Sequence, residues 1–174
     1  REFAQAHFPL QAAETVLDIG CGTGRLIPYL ADVIGDAGKL IEMDISLSML
    51  HIGKKRHSLP NLLFVQGDGH VLPLKDHSID TVVCMAFFPH FSDKLKGLMA
   101  LARVLKPGGR LFIAHQMNRE ELNRFHGNVA GPVGNDLLPD ENGMRELFKK
   151  AGFSDVDIRE EPGLYLAVAT RSTA

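Results

Sequence analysis

Cysteine is scarce in this 174-residue sequence, which contains only Cys21 and Cys84. The two lie far apart, one in a glycine-rich turn and one in an apolar run, so they match neither a zinc spacing nor a CxxC redox pair. A chain of this length buries about two-thirds of its unfolded surface, so a core forms without disulfides. We therefore expect a single domain over residues 1–174 in a reducing, cytoplasmic setting.

Long apolar runs and an excess of positive charge are also missing. The longest apolar stretch covers residues 82–89, far short of the roughly 20 residues that span a bilayer, and no signal segment opens the sequence. The 19 Lys and Arg residues are outnumbered by 21 Asp and Glu residues, which leaves a net charge of −2. Without a basic excess to neutralise a phosphate backbone, nucleic acid is a poor first guess for a partner, and the short apolar runs predict no membrane partner.

Strand and helix patterns alternate through the first two-thirds of the chain. Helical spacing follows Gly24, Ser46 is placed to cap a helix that ends near His57, and Ser92 is placed to cap another, which Pro107–Gly109 ends. Short apolar runs predict strands at residues 15–19, 39–43, 62–65, 79–85 and 110–115. Such alternation predicts a parallel sheet with helices on both faces, because the crossovers are right-handed.

The end of the chain departs from this alternation. Val156–Arg159 and Leu164–Thr170 resemble strands, and the four residues between them permit only an antiparallel hairpin. The sequence thus predicts an α/β, Rossmann-like, doubly wound sheet of seven mostly parallel strands with an antiparallel C-terminal hairpin.

A polar stretch at residues 116–143 separates the fifth strand from the hairpin. Asn118 and Glu121 form a capping-box pattern ahead of a short helix at Arg119–His126, and the rest is rich in Gly and Pro. Its composition suits a lid over a ligand or, alternatively, a solvated connector.

Glycines at 20, 22 and 24 leave the backbone bare between the first strand and the next helix, where amide groups are unsatisfied. Asp44 follows 20 residues after Gly24, at the carboxyl end of the second strand, where a carboxylate can accept both hydroxyls of a ribose. These features alone suit NAD and S-adenosylmethionine equally. Alternatively, the glycines serve strand-to-helix packing and Asp44 caps the next helix.

Four segments follow one another along the chain: VLDIGCGTG (16–24), IEMDIS (41–46), GDGHVLPLKDHSID (67–80) and RVLKPGGRLFI (103–113). In this order they resemble the motifs of class I S-adenosylmethionine-dependent methyltransferases, in the small-molecule, type 11-like branch. NAD domains commonly continue the glycine pattern as GxGxxG, whereas Arg25 follows Gly24 here.

The resemblance implies a role for each matching residue. Asp18 and the backbone from Gly20 to Gly24 would hold the methionine part of the cofactor, and Asp44 would hold the ribose. Met43 and Ile45 would contact the adenine ring, whose polar atoms would bind to Asp68 and to the Gly69 amide. For Asp68 a simple turn role is the alternative. The implied cofactor set is Asp18, Gly20, Cys21, Gly22, Gly24, Asp44, Ile45, Asp68 and Gly69.

Ligands of open α/β sheets bind beyond the carboxyl ends of the strands, so the methyl acceptor is expected after strands four and five. His90 and His115 lie there and are the candidate catalytic bases, with packed, non-catalytic histidines as the alternative. The family's members that methylate amides and adenine carry Asn/Asp-Pro-Pro-aromatic after strand four. This chain has Ala86-Phe87-Phe88-Pro89, which disfavours base methylation.

The sequence therefore predicts an S-adenosylmethionine-dependent methyltransferase with a small-molecule acceptor. The alternatives are a non-catalytic S-adenosylmethionine-binding regulatory or assembly domain and an NAD-dependent oxidoreductase. His126 is a further base candidate on the lid helix. His90, His115, His126 and Asp136 would be the set for a metal, but they follow no local ligand spacing, so no metal is predicted.

Overall fold

Seven strands form one sheet in the computed structural model, which describes residues 2–173, with the side chains of residues 132 and 133 left aside. The end residues of the predicted domain, Arg1 and Ala174, lie outside the described residues. The strands are β1 (Thr15–Ile19), β2 (Lys39–Asp44), β3 (Leu62–Gln66), β4 (Ile79–Met85), β5 (Leu105–His115), β6 (Phe153–Glu161) and β7 (Leu164–Arg171).

Helices cover both faces of the sheet. Short 3₁₀ turns at Phe88–His90 and Pro132–Asn135 accompany them. No helix within residues 2–173 has the length and apolar character that crossing a membrane requires. The helices are α1 (Glu2–His7), α2 (Ile27–Ile34), α3 (Leu47–Arg56), α4 (Lys94–Val104), α5 (Arg119–Gly127) and α6 (Glu141–Lys150).

The strand order is β3-β2-β1-β4-β5-β7-β6. All pairs from β3 to β5 are parallel, whereas β7 runs antiparallel to both β5 and β6. The predicted Rossmann-like fold with a C-terminal hairpin is therefore confirmed. The order reverses between β1 and β4, and it is beside such a switch point that open α/β sheets bind ligands.

The central strands are buried on both faces, as parallel strands sandwiched between helices must be. Leu17 and Ile19 of β1 pack into one apolar cluster with α4 and α6, while Val16 packs into the other with α1 and α2. Asp18 lies on the face of Val16, because side chains alternate along a strand. A carboxyl group is thus built into the core at the end of β1.

The cap of α4 was predicted one residue too early. Asp93, not Ser92, is the cap, and its Oδ1 accepts a hydrogen bond of 2.9 Å from the backbone N–H of Lys96. Ser92 lies instead against the His70 ring, with 3.5 Å between Oγ and Nε2. Both residue types cap helices well. The Asp93 N–H also lies 3.3 Å from His70 Nε2, so the His70 ring contacts both residues of this turn.

The fifth strand also begins earlier than predicted. The prediction started it at Arg110, but β5 begins at Leu105 and includes Pro107–Gly109. Leu105 pairs with Ile79 before a register shift brings Arg110 opposite Thr81. The Pro-Gly-Gly segment forms an irregularity within the strand. Prolines in strands are tolerated at irregularities of this kind.

The capping box of α5 is confirmed, since Asn118 Oδ1 accepts from Glu121 N and Glu121 Oε2 accepts from Asn118 N. Two helices were not predicted. One is α1, and the other is α6, whose cap Asp140 and first turn fall in the stretch that was read as Gly-rich connector. Met144 and Phe148 of α6 are buried, so tertiary packing stabilises this helix. Gly143 in its first turn weakened the helical signal in the sequence.

Candidate active site

Three cavities adjoin at the carboxyl edge of the sheet. The loop cavity, about 420 Å³, lies between α1 and the glycine loop and is lined by Asp18, Cys21 and Arg25 among others. The Asp44 cavity, about 330 Å³, is lined by Asp44, Ile45, Asp68 and Gly69 among others. The histidine cavity, about 320 Å³, is lined by Met85, Ala86, His90, His115, Gln116, Met117, Leu122, Phe125 and His126.

The cavities share walls. Gly20 lines both the loop cavity and the Asp44 cavity, and His90 lines both the Asp44 cavity and the histidine cavity. Met85, Ala86 and Gln116 line both the loop cavity and the histidine cavity. The three spaces therefore meet around the ends of β1 and β4, which is where the chain order of the sheet reverses.

Gly20 has the conformation and the neighbour that exclude a side chain. Its φ is +70°, and a Cβ there would lie 2.3 Å from Cγ of Phe87. Ala86, the residue before Phe87, has a φ of +54°. Such a value is strained for a residue other than glycine, and strain of this kind is found at functional sites. This turn after β4 directs Phe87 onto the glycine loop, a contact that sequence reasoning missed.

Asp44 joins the end of β2 to the glycine loop. Its Oδ2 accepts a 2.9 Å hydrogen bond from the Gly22 N–H, and its Oδ1 accepts one of 2.8 Å from Ser46 N–H. The cap of α3 is Ser46, as predicted, through a hydrogen bond from Met49 N–H. An ionised carboxylate has about four acceptor sites, so these bonds leave room for two hydroxyl donors. Ile45 is 67% exposed, an apolar surface beside this carboxylate.

Asp18 and Glu42 form a buried pair of acids. They lie opposite each other in the register of β1 and β2, and their exposures are 2% and 0%. Burial first, and the charge of Asp44 second, raises the pKa of Asp18 to about 8. Burial and the charge of Asp18 raise the pKa of Glu42 to about 10. Burial also raises the pKa of the Cys21 thiol, which keeps it protonated and unreactive.

Asp68 and Gly69 close the far side of the Asp44 cavity. Asp68 Oδ1 accepts from the N–H of His70 and contacts His70 Nδ1, both at 2.8 Å, which lowers the pKa of this carboxyl. Both contacts go to Oδ1, so Oδ2 can accept a further donor. At Gly69 a Cβ would lie 2.7 Å from Cε1 of Phe91. The Phe91 ring therefore approaches the backbone as closely as a glycine allows.

The predicted histidines lie together. His90 Nδ1 is 2.7 Å from Asp136 Oδ2, and the rings of His90 and His126 lie 5.5 Å apart between centroids. His126 Nδ1 contacts the backbone carbonyl oxygen of the same Asp136. Residues 46 positions apart are thus joined across the cavity, a contact that the sequence did not predict for Asp136.

His115 differs from His90 in its surroundings. It is 3% exposed, and its Nε2 is buried without a hydrogen-bond partner among the described residues. Burial first, then the nearby His126 and His90, lowers the pKa of His115 to about 4. His115 is therefore neutral near pH 7 and a weaker base than an ordinary histidine. Within residues 2–173 no group of three or more His, Cys, Asp or Glu side chains could hold a metal ion.

Several site features had no clear signal in the sequence. Phe3 and Ala4 of α1 line the loop cavity, and the short apolar pattern before β1 gave no reason to place them there. Gln116 lies where two cavities meet. Its position directly after strand five was the available signal, because that segment was already expected to face the acceptor.

The fold and the crevice define a Rossmann-like domain that holds a nucleotide at the carboxyl edge of its sheet. The family model described as "Methyltransferase domain" matches residues 17–113, more than half of the chain, and the chain belongs to this methyltransferase family. Its cofactor is S-adenosylmethionine, and the family assignment confirms the predicted resemblance and the predicted enzyme class. It does not support the alternatives of an oxidoreductase or a non-catalytic domain.

Named relatives agree with this assignment. The chain is 29% identical to the ubiquinone/menaquinone biosynthesis C-methyltransferase UbiE of Escherichia coli, over 85% of this chain and 69% of that protein. A SAM-dependent methyltransferase from Aquifex aeolicus is 27% identical, with a TM-score of 0.79 over 97% of this chain and 88% of that one. A methyltransferase from Haloferax volcanii, in complex with the methyltransferase activator Trm112, is 25% identical, with a TM-score of 0.81 over 98% and 88%.

The residues present fit this cofactor. A bare glycine backbone lies beside the carboxylates of Asp18 and Asp44, and Asp68 offers an acceptor across the Asp44 cavity. When bound, S-adenosylmethionine supplies an electrophilic methyl group on a sulfonium centre. The loop and Asp44 cavities meet at Gly20, so a molecule with an amino-acid arm and an adenosine arm can occupy both.

Proposed function

We propose that this methyltransferase acts on a small molecule that binds in the histidine cavity. The main support is that this cavity shares lining residues with the loop cavity and with the Asp44 cavity, the two proposed cofactor cavities. Ala86 is shared with the first and His90 with the second. The point where the two cofactor cavities meet is also where a sulfonium between the two arms of the cofactor belongs. A small acceptor in the histidine cavity would therefore be adjacent to the transferred methyl group, and alignment is the main requirement of such a displacement.

We propose the predicted cofactor roles for the loop and acid residues. Asp18 is the partner of the ammonium group, supported by its burial beside the loop cavity. Asp44 is the partner of the ribose, supported by its fixed carboxylate. Asp68 and the Gly69 amide are the partners of adenine, with Ile45 as an apolar contact. The amides of residues 20–24 complete the methionine site.

For the base we propose His90 rather than His115. Asp136 contacts Nδ1 of His90 at 2.7 Å, and a carboxylate in that place stabilises the imidazolium that forms when a proton is taken up. The lowered pKa of His115 disfavours proton uptake there. We assign His115 the role of a neutral, buried group in the wall of the histidine cavity.

Several features support an apolar small acceptor. Met85, Met117, Leu122 and Phe125 supply much of the cavity wall, and the net charge of −2 provides no electrostatic attraction for nucleic acid. The name of the UbiE relative makes carbon the first acceptor atom to test. We also propose that residues 1–174 act as one domain and that 116–143 serves as the lid, since α5 contributes Leu122 and His126 to the cavity.

Calorimetric titration tests this function. Purified protein should bind S-adenosylmethionine and S-adenosylhomocysteine but not NAD, and Asp44→Ala should lose most of this affinity. His90→Ala should retain cofactor binding but lose methyl transfer across a panel of phenols, quinols and carbon acids. Retained transfer in His90→Ala would overturn the proposed base, and binding of NAD alone would overturn the function. Glu146→Gln, at an exposed position on α6, is the matched control.

A further inference from the structure

The histidine cavity has an unusual balance of polar groups. The described residues that line it include three imidazoles but no carboxylate, lysine or arginine. Asp136 contacts the cavity indirectly, through His90. The polar side chains that this cavity offers to an acceptor are therefore imidazoles and the Gln116 amide.

Contacts from α5 to the backbone around Asp136 hold this residue in place. His126 Nδ1 contacts the Asp136 carbonyl oxygen, and two residues further on the Asn123 side chain bonds both to the N–H of Leu138 at 2.8 Å and to its carbonyl oxygen at 2.9 Å. Helix α5 thus fixes the turn that carries Asp136. The carboxylate thus meets His90 from a turn that hydrogen bonds hold in place, which suits a group that orients another.

The contact between Asp136 and His90 determines the state of the imidazole. An ionised carboxylate only accepts hydrogen bonds, so in the neutral imidazole of His90 the hydrogen lies on Nδ1, and Nε2 has a free lone pair. His90 lines the cavity. This arrangement of an acid behind a histidine is the one that prepares a general base.

We propose that Asp136 is the positioning residue of His90, and that the methyl acceptor is an uncharged, mainly apolar molecule that gives up a proton from a hydroxyl group or an acidic carbon. This inference rests on the proposed function of the cavity. An amine acceptor would arrive largely as an ammonium ion, and the described lining offers no anion to receive it.

The transfer then balances in atoms and charge. The acceptor's O–H or C–H bond breaks, its proton goes to Nε2 of His90, and its electron pair forms the new bond to the methyl carbon. The bond between that carbon and sulfur breaks, and its electron pair remains on sulfur. The imidazolium of His90 and the carboxylate of Asp136 form an ion pair until the proton passes to solvent.

The test uses two probes of equal shape, 4-nitrophenol and 4-nitroaniline, with protein saturated with S-adenosylhomocysteine. At a pH where free 4-nitrophenol is mainly protonated, the wild type is expected to bind it as the yellow phenolate, with the proton on His90. Asp136→Asn should weaken this binding by about tenfold and remove the phenolate band, because a charged hydrogen bond is lost. The weaker affinity for 4-nitroaniline should stay unchanged.

Asp140→Asn is the matched control, because Asp140 lies four residues further along and asparagine caps α6 equally well. It should behave as the wild type. An equal phenolate band in Asp136→Asn, a missing band in the wild type, or tighter binding of 4-nitroaniline would overturn the inference. Failure to bind S-adenosylhomocysteine would overturn the proposed function itself, so the two failures are distinguishable.

Discussion

Asp18 and Glu42 lie directly opposite each other on β1 and β2, and both carboxyl groups are buried. Neither oxygen of Glu42 has a hydrogen-bond partner among the described residues. Two adjacent carboxylates in a core repel each other, so the pair retains protons that exposed acids would lose. The charge of Asp44 acts on Asp18, and the Cys21 thiol acts on Glu42.

The first prediction concerns cofactor affinity and pH. The pKa of Asp18 is raised to about 8, so the acid must lose its proton before it can pair with the cofactor's ammonium group. Affinity for S-adenosylmethionine should therefore rise between pH 6 and 8, by up to about tenfold per pH unit, with proton release. Calorimetry in buffers of different ionisation enthalpy measures both effects.

The matched ligand for that experiment is 5′-methylthioadenosine, which lacks the amino-acid arm and should bind with little dependence on pH. An equal slope for the two ligands would assign the effect to a group other than Asp18.

The second prediction concerns stability. The folded-state pKa of Glu42 is raised from 4.5 to about 10, so above pH 4.5 the folded state holds a proton that the unfolded state releases. The free energy of unfolding should then fall as pH rises through this window, with a contribution from Glu42 of about 1.4 kcal/mol per pH unit. Glu42→Gln should remove the Glu42 share of this slope in denaturant titrations and leave the share of Asp18, whose raised pKa has burial as its largest cause. The exposed Glu146→Gln should leave it unchanged, and a wild-type slope in Glu42→Gln would contradict the argument.

The third prediction concerns the contact between Gly20 and Phe87. Gly20→Ala places a methyl 2.3 Å from the Phe87 ring at a φ of +70°. The backbone conformation alone costs about 1–2 kcal/mol, and displacement of the ring should abolish cofactor binding. Phe87→Ala in addition removes the clash but not the strain, so thermal melting should recover only in part. Full recovery would show that the conformation of Gly20 carries no cost.

The fourth prediction concerns Asp44. Asp44→Ala should weaken S-adenosylmethionine binding by about tenfold to a hundredfold, because it removes hydrogen bonds to a charged acceptor. The affinity of Asp44→Asn should lie between those of the wild type and Asp44→Ala. Its one remaining side-chain oxygen cannot accept from Gly22 N–H and Ser46 N–H and also from a ribose. Titration of both variants measures this. Equal affinities for Asp44→Ala and the wild type would exclude the ribose role.

Local patterns determined most of the fold. The alternation of apolar runs with helical spacing predicted all five parallel strands, and the short link after Arg159 predicted the hairpin. Errors occurred where two neighbouring residues were equally suitable, as at Ser92 and Asp93, or where packing overrode a breaker, as at Pro107 in β5. The sequence signals at such points are weak compared with the energy of tertiary contacts.

The sequence by itself determined the sheet, the glycine loop and the family, because each is encoded by residues close together in the chain. Only the tertiary structure decided that Asp136 meets His90, that Phe87 covers Gly20 and that Glu42 lies opposite Asp18. These contacts join distant segments, and the register of strands and the packing of helices determine them. No local spacing records such distances, and the chemistry of the acceptor cavity depends on them.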